Sequence, residues 1–96
     1  MPEESQQVMV VLDIPDQTPE QYDQIRKGME AAGLGEPKGQ LLHIVGQANG
    51  GTFIVDVWES AELYNQFLQS LTPILTEIDQ EPAEPHIYPI LNFVKG

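Results

Sequence analysis

Asn49-Gly50 constrains this chain more than any other pair of residues. Both residues tolerate the positive φ that a tight primed turn demands, so between apolar runs they specify a β-hairpin. The flanking runs are present, because Gly39 to Glu59 reads GQLLHIVGQANGGTFIVDVWE. A turn centred on Asn49-Gly50 sets the register. It pairs Leu42 with Val57, Ile44 with Val55 and Gly46 with Phe53, a set that is apolar or glycine throughout. The alternate set pairs Leu41 with Trp58, His43 with Asp56 and Val45 with Ile54. A slip of one residue would scramble both faces, so the register is well specified.

The rest of the chain supplies two more strands and two helices. Gln7 to Ile14 alternates as a strand, with Val8, Val10, Leu12 and Ile14 on one face and Met9, Val11 and Asp13 on the other. Pro15-Asp16 ends it. Thr18-Pro19-Glu20-Gln21 starts a helix with a cap, a proline at the first helical position and a capping-box glutamine. Tyr22, Ile25, Met29 and Ala32 form its core stripe. Gly33 suits a left-handed C-cap with Leu34 folding back. Ser60 caps a second helix that carries Leu63, Tyr64, Phe67, Leu68 and Leu71. Thr72-Pro73 predicts an end near Ser70, followed by a kink or a second short helix. His86 to Val94 reads as the last strand, and Pro89 assigns it to a sheet edge. Residues 1–6 are polar and are expected to be disordered.

The order β-α-β-β-α-β is that of a ferredoxin-like α+β domain with spatial order 4-1-3-2. The first and third strands are expected side by side and parallel. Both helices must cover one sheet face. The uniformly apolar sets qualify: Val8, Val10 and Leu12; Leu42 and Ile44; Phe53, Val55 and Val57; Ile87, Leu91 and Phe93. The opposite face would carry Met9, Val11, Val45, Ile54, Trp58, Tyr88 and Ile90, with His43 and Asp56 among them. Soluble monomers rarely leave such a patch open. A second copy stacked sheet against sheet covers it, which predicts a homodimer through the helix-free face.

Ninety-six residues suit one domain spanning 1–96. There is no cysteine, which excludes disulfides and thiolate chemistry and suits a reducing cytoplasm. Fifteen acidic residues face four basic ones, so nucleic acid and anionic membrane surfaces are not expected as partners. No apolar run is long enough to span a bilayer, and the polar N-terminus does not resemble a signal peptide.

The element order, the short length, the two-faced apolar sheet and the hairpin ending in VDVWES resemble the dimeric α+β barrel superfamily. That group includes antibiotic-biosynthesis monooxygenase-like domains and small relatives of unknown activity. The resemblance implies a homodimeric barrel, often with a pocket between sheet and helices or inside the barrel. It also implies a small apolar or aromatic ligand, oxidised or isomerised without a bound cofactor. It fixes no chemistry, because the superfamily spans oxygenases, haem-degrading enzymes and isomerases. The haem-degrading branch has an Asn on its first strand. This chain has none there, and His43 precedes Trp58 while Asn92 comes last.

His43 and Asp56 are the sharpest candidates for chemistry. Residues opposite each other on antiparallel strands have Cβ atoms roughly 5 Å apart, close enough for a carboxylate to accept from an imidazole. Such a pair fixes the histidine tautomer, which is how a general base is prepared. Trp58 is expected to stack on a flat ligand, and Tyr88 and Asn92 to line the cavity or to hydrogen-bond across the dimer. The plainer alternative is a non-enzymatic module in which His43 and Asp56 are a satisfied polar pair at the dimer interface. Asp13 is expected to approach Asp56, where two carboxylates and an imidazole have metal-binding chemistry, but a turn or cap role before Pro15 is the preferred reading of it. His86 lies three strand spacings from His43, on the order of 14 Å, so no four-ligand metal site is expected. Phosphate-loop, serine-elbow and zinc-helix motifs are all missing.

Overall fold

The β-hairpin register holds in the structure, a computed structural model that describes residues 6–48 and 50–96. Residues 1–5 of the expected disordered tail and the turn residue Asn49 lie outside the described residues. The elements are β1 (Val8–Ile14), α1 (Pro19–Ala31), β2 (Gln40–Ala48), β3 (Gly51–Trp58), α2 (Ala61–Glu77) and β4 (His86–Pro89). They form one sheet in the order β2-β3-β1-β4, with β4 at an edge as Pro89 requires. Among the described residues no helix is long and apolar enough to cross a membrane.

Every neighbouring pair of strands is antiparallel, β1 with β3 included. The expected parallel pairing of the first and third strands is therefore corrected. The reason is topological. The α1 crossover brings β2 back in the direction of β1, and the hairpin then reverses the chain, so β3 must run against β1.

Helix α1 begins as its sequence dictates. The Gln21 N–H donates to Thr18 Oγ1 at 3.1 Å, and the Thr18 N–H donates to Gln21 Oε1 at 2.9 Å. Gly33 at φ 80° closes it, with Leu34 N–H donating to the Met29 carbonyl and Gly33 N–H to that of Glu30. Ser60 caps α2 through the Leu63 N–H. The expected break at Thr72-Pro73 does not occur, and α2 runs on to Glu77 with Pro73 inside it. Proline removes one backbone donor. The Thr72 and Thr76 hydroxyls bond back to the carbonyls of Leu68 and Thr72 on either side of it, and Leu75 just beyond Pro73 is buried, which holds the last turns in place. The last strand is shorter than predicted and stops at Pro89, one further bond running from Ile90 N–H to the Gln7 carbonyl. Gln6, expected in the disordered tail, donates its side-chain amide to the Ile90 carbonyl.

The hairpin pairs Leu42 with Val57, His43 with Asp56, Ile44 with Val55, Val45 with Ile54 and Gly46 with Phe53, as expected. A register shift lies beside Leu41, so Trp58 pairs with Gln40 instead. The assignment of faces, in contrast, is corrected for β2 and β3. Val8 lies opposite Trp58, Val10 opposite Asp56 and Leu12 opposite Ile54, and directly opposite residues share a face. Val10 and Trp58 are fully buried. Trp58 packs on Tyr64 and Phe67 of α2, at centroid distances of 5.5 and 5.2 Å. The helices thus cover Trp58, Asp56, Ile54 and His43. The open face holds Met9 and Val11 with Leu42, Ile44, Phe53, Val55 and Val57. Burying the indole against two aromatic rings outweighs keeping the aspartate in water, provided the carboxylate is given donors.

Candidate functional site

The site is assembled from β2, β3 and α1. The hairpin register sets His43 opposite Asp56, and the His43 Nδ1–H donates to Asp56 Oδ1 at 2.6 Å. Asp56 is buried, and its second oxygen accepts from Trp58 Nε1 at 3.3 Å and from Gln40 Nε2 at 3.4 Å. Three donors therefore cover a carboxylate that would otherwise be costly to bury. A carboxylate only accepts, so the imidazole carries a proton on Nδ1, and the neutral ring then presents a lone pair at Nε2. The Tyr22 hydroxyl donates to that nitrogen at 2.7 Å.

Tyr22, His43 and Asp56 thus form a continuous chain of hydrogen bonds from α1 into the sheet. Burial raises the Tyr22 pKa, the nearby Arg26 charge lowers it in part, and Asp56 raises it further. Tyr64, under the same sheet face, is pushed up to about 12, by burial first and by Asp56 second. Both phenols are protonated near neutral pH. When the Tyr22 oxygen accepts a proton, the hydroxyl can pass the proton it already carries to His43 Nε2, leaving the phenol neutral and an imidazolium held by Asp56.

Beside this chain lies a cavity of about 90 Å³ between the helices and the sheet. Its walls are mostly apolar, with Leu12 and Ile54 from the sheet, Ile25 from α1 and Leu68, Leu71 and Leu75 from α2. Tyr22, Arg26, Gln40, His43 and Asp56 bring polar groups to it. The loop after α2 crosses one end. Thr52 Oγ1 donates to Gln17 Oε1, Gln17 Nε2 donates to Gln80 Oε1 at 3.4 Å, and Gln80 Nε2 donates to the Gln21 carbonyl at 3.2 Å. That network fastens the loop to the start of α1.

The structure brings His43 and Asp56 together and puts them on the helix side of the sheet. An interface through the helix-free face would not include them. Trp58 stands behind Asp56, fully buried, and supports the carboxylate instead of walling the cavity. Tyr88 pairs with Met9 on the helix-free face and is half exposed, while Asn92 is exposed beyond β4. Neither lines the cavity. Asp13 lies opposite Phe53, and His86 opposite Val11, both exposed. Asp13 therefore sits on the face away from Asp56. Among the described residues no cluster of three His, Cys, Asp or Glu side chains is placed to hold a metal ion.

Tyr22, Arg26 and Gln40 are additions that sequence reasoning missed. Tyr22 fitted the core stripe of α1, which is where it lies. The available signal was its hydroxyl on an otherwise apolar stripe, with Arg26 one turn further along the same face.

The sequence matches no protein-family model and no curated protein. Solved structures do match. One is an antibiotic biosynthesis monooxygenase-like protein from Chloroflexus aurantiacus J-10-fl, at 20% identity and a TM-score of 0.57, over 93% of this chain and 95% of that one. Another is a conserved protein from Methanosarcina mazei Go1, at 15% identity and a TM-score of 0.56, over 91% of this chain and 95% of that one. At such identities the likeness is one of fold. The chain has the ferredoxin-like α+β fold that these two structures share.

Proposed function

We propose that the chain binds a small, mainly apolar or aromatic molecule in the cavity between helices and sheet, and moves a proton on it through Tyr22, His43 and Asp56. The observation that carries this reading is the hydrogen-bonded chain Tyr22–His43–Asp56 at the wall of an apolar cavity. Mostly apolar walls favour a ligand with a largely apolar body, and the few polar groups fix its orientation. Tyr22 meets the substrate proton, His43 takes up the charge and Asp56 holds the imidazole in the receptive tautomer. Proton abstraction next to a carbonyl gives an enolate, which reprotonation at another carbon converts to an isomer. The same electron-rich anion is what dioxygen would attack in an oxidation, and the monooxygenase-like fold neighbour is consistent with that branch.

The test is solvent-deuterium exchange on 2-indanone, a small enolisable ketone, followed by NMR. The native protein is expected to accelerate exchange over buffer, and His43→Ala to return it to the buffer rate. Equal acceleration by both proteins would contradict the assignment.

We also propose that the open sheet face pairs two copies. It carries Ile44, Tyr88 and Phe53 at 52, 49 and 38% exposure beside Met9, Val11 and Leu42. A face of this kind is self-complementary under a two-fold axis. A monomer at micromolar concentration in sedimentation equilibrium would contradict it.

A further inference from the structure

Arg26 is the only arginine in the chain, and it lines the cavity. Its fork donates to the Gly35 carbonyl at 3.3 Å and approaches the Met29 sulfur at 4.0 Å. Among the described residues it pairs with no carboxylate, although fifteen acidic side chains are present in the sequence. The neighbouring Lys27 is paired, with Asp23 at 3.1 Å. A guanidinium has five donors, and one carbonyl and one thioether leave most of them unused. The negative groups near the cavity do not take them up. Asp56 is committed to His43, Gln40 and Trp58, and Glu81 is exposed on the loop.

We infer that the cavity takes a small carboxylate whose anionic group is held by Arg26 and whose apolar body lies against Leu68, Leu71 and Leu75. This rests on the cavity being the ligand site. A planar carboxylate matches the arginine fork with two parallel hydrogen bonds. Arg26 follows Tyr22 by one helical turn, so their side chains leave the same face of α1. A carboxylate held at Arg26 therefore lies on the same wall of the cavity as the Tyr22 hydroxyl. The substrate class is an aromatic or branched acid whose mobile proton is close to its carboxylate, such as an enolisable 2-oxo acid or an ortho-hydroxy aromatic acid.

The experiment compares benzoate with benzamide, which has the same shape and no charge, by calorimetric titration of the full chain. Benzoate is expected to bind about tenfold more tightly, the margin of a charge-assisted pair over a neutral one. Arg26→Gln is expected to bind the two alike. Arg26→Lys keeps the charge without the fork and is expected to show a smaller preference than the native protein. Equal affinity for both ligands in the native protein would overturn the carboxylate inference and leave the cavity reading standing. A preference that persists in Arg26→Gln would overturn the role of Arg26. If Arg26→Gln does not fold, an undiminished preference in Arg26→Lys overturns the two-bond hold. If neither ligand binds the native protein, both the inference and the cavity reading fail.

Discussion

His43 and Asp56 face each other across β2 and β3 at 2.6 Å, and the pair sits beneath α1 on the covered side of the sheet. This placement changes what the pair is for. On the open face it would belong to an interface between copies. Under the helices it borders an apolar cavity and is extended by Tyr22.

Asp56→Asn tests how much the carboxylate holds together. It accepts from His43, Gln40 and Trp58, and an amide cannot receive all three. The substitution is expected to lower stability by about 1–3 kcal/mol through unpaired buried groups. Urea unfolding followed by Trp58 fluorescence reads this directly. An unchanged midpoint would mean that the carboxylate network contributes nothing to the fold.

Tyr22→Phe separates chemistry from packing. The ring stays on the α1 stripe, so stability is expected to change by no more than about 1 kcal/mol. Proton exchange on a bound ketone is expected to fall by about a hundredfold or more, the usual contribution of a positioned acid or base. A Phe variant as active as the native protein would show that His43 works without the phenol.

Alkaline pH should destabilise the protein through Tyr64. Burial first and the Asp56 charge second push its hydroxyl up to about 12, above the usual 10.0 of a phenol in water, so the native state holds the proton more tightly than the unfolded chain. The stabilisation is complete below pH 10 and is lost as pH rises towards 12. Tyr22 acts in the same direction. Melting curves from pH 9 to 12 are expected to fall for the native protein and to fall less steeply for Tyr64→Phe. Parallel curves would contradict this.

Ile44→Asp addresses the open face. Ile44 is more than half exposed in the single chain, so a charge there costs the monomer little. In a sheet-to-sheet dimer the same charge would be buried without a partner. Sedimentation is expected to show a dimer for the native chain and a folded monomer for the variant. A dimer that survives the substitution would place the interface elsewhere.

Much of the fold was legible because its signals are local. Asn49-Gly50 set the hairpin register, Thr18 to Gln21 the start of α1, Gly33-Leu34 its end, and Pro89 the edge position of β4. The orientation of the hairpin was not legible. Both of its faces contain apolar residues, and the choice depends on Val10 lying opposite Asp56 and on Trp58 meeting Tyr64 and Phe67. Val10 and Asp56 are far apart in sequence, the Trp58 contacts depend on the sheet face on which α2 lies, and periodicity carries no information about either. The continuity of α2 through Pro73 escaped for a different reason. Leu75, just beyond the proline, is buried, so packing of the last turns against the core prevails over the usual preference for a break. Of the site, the His43–Asp56 pair followed from register, whereas Tyr22 and Arg26 reach it only through tertiary packing.

Ligand occupancy of the space beside Tyr22 and His43 is settled most directly by an NMR titration of the isotope-labelled chain with 2-indanone. The expected result is saturable shifts concentrated at Tyr22, His43, Leu68 and Leu71, with Ile44 and Phe53 unmoved. Shifts confined to Ile44 and Phe53, or none at millimolar ligand, would contradict a binding site between the helices and the sheet.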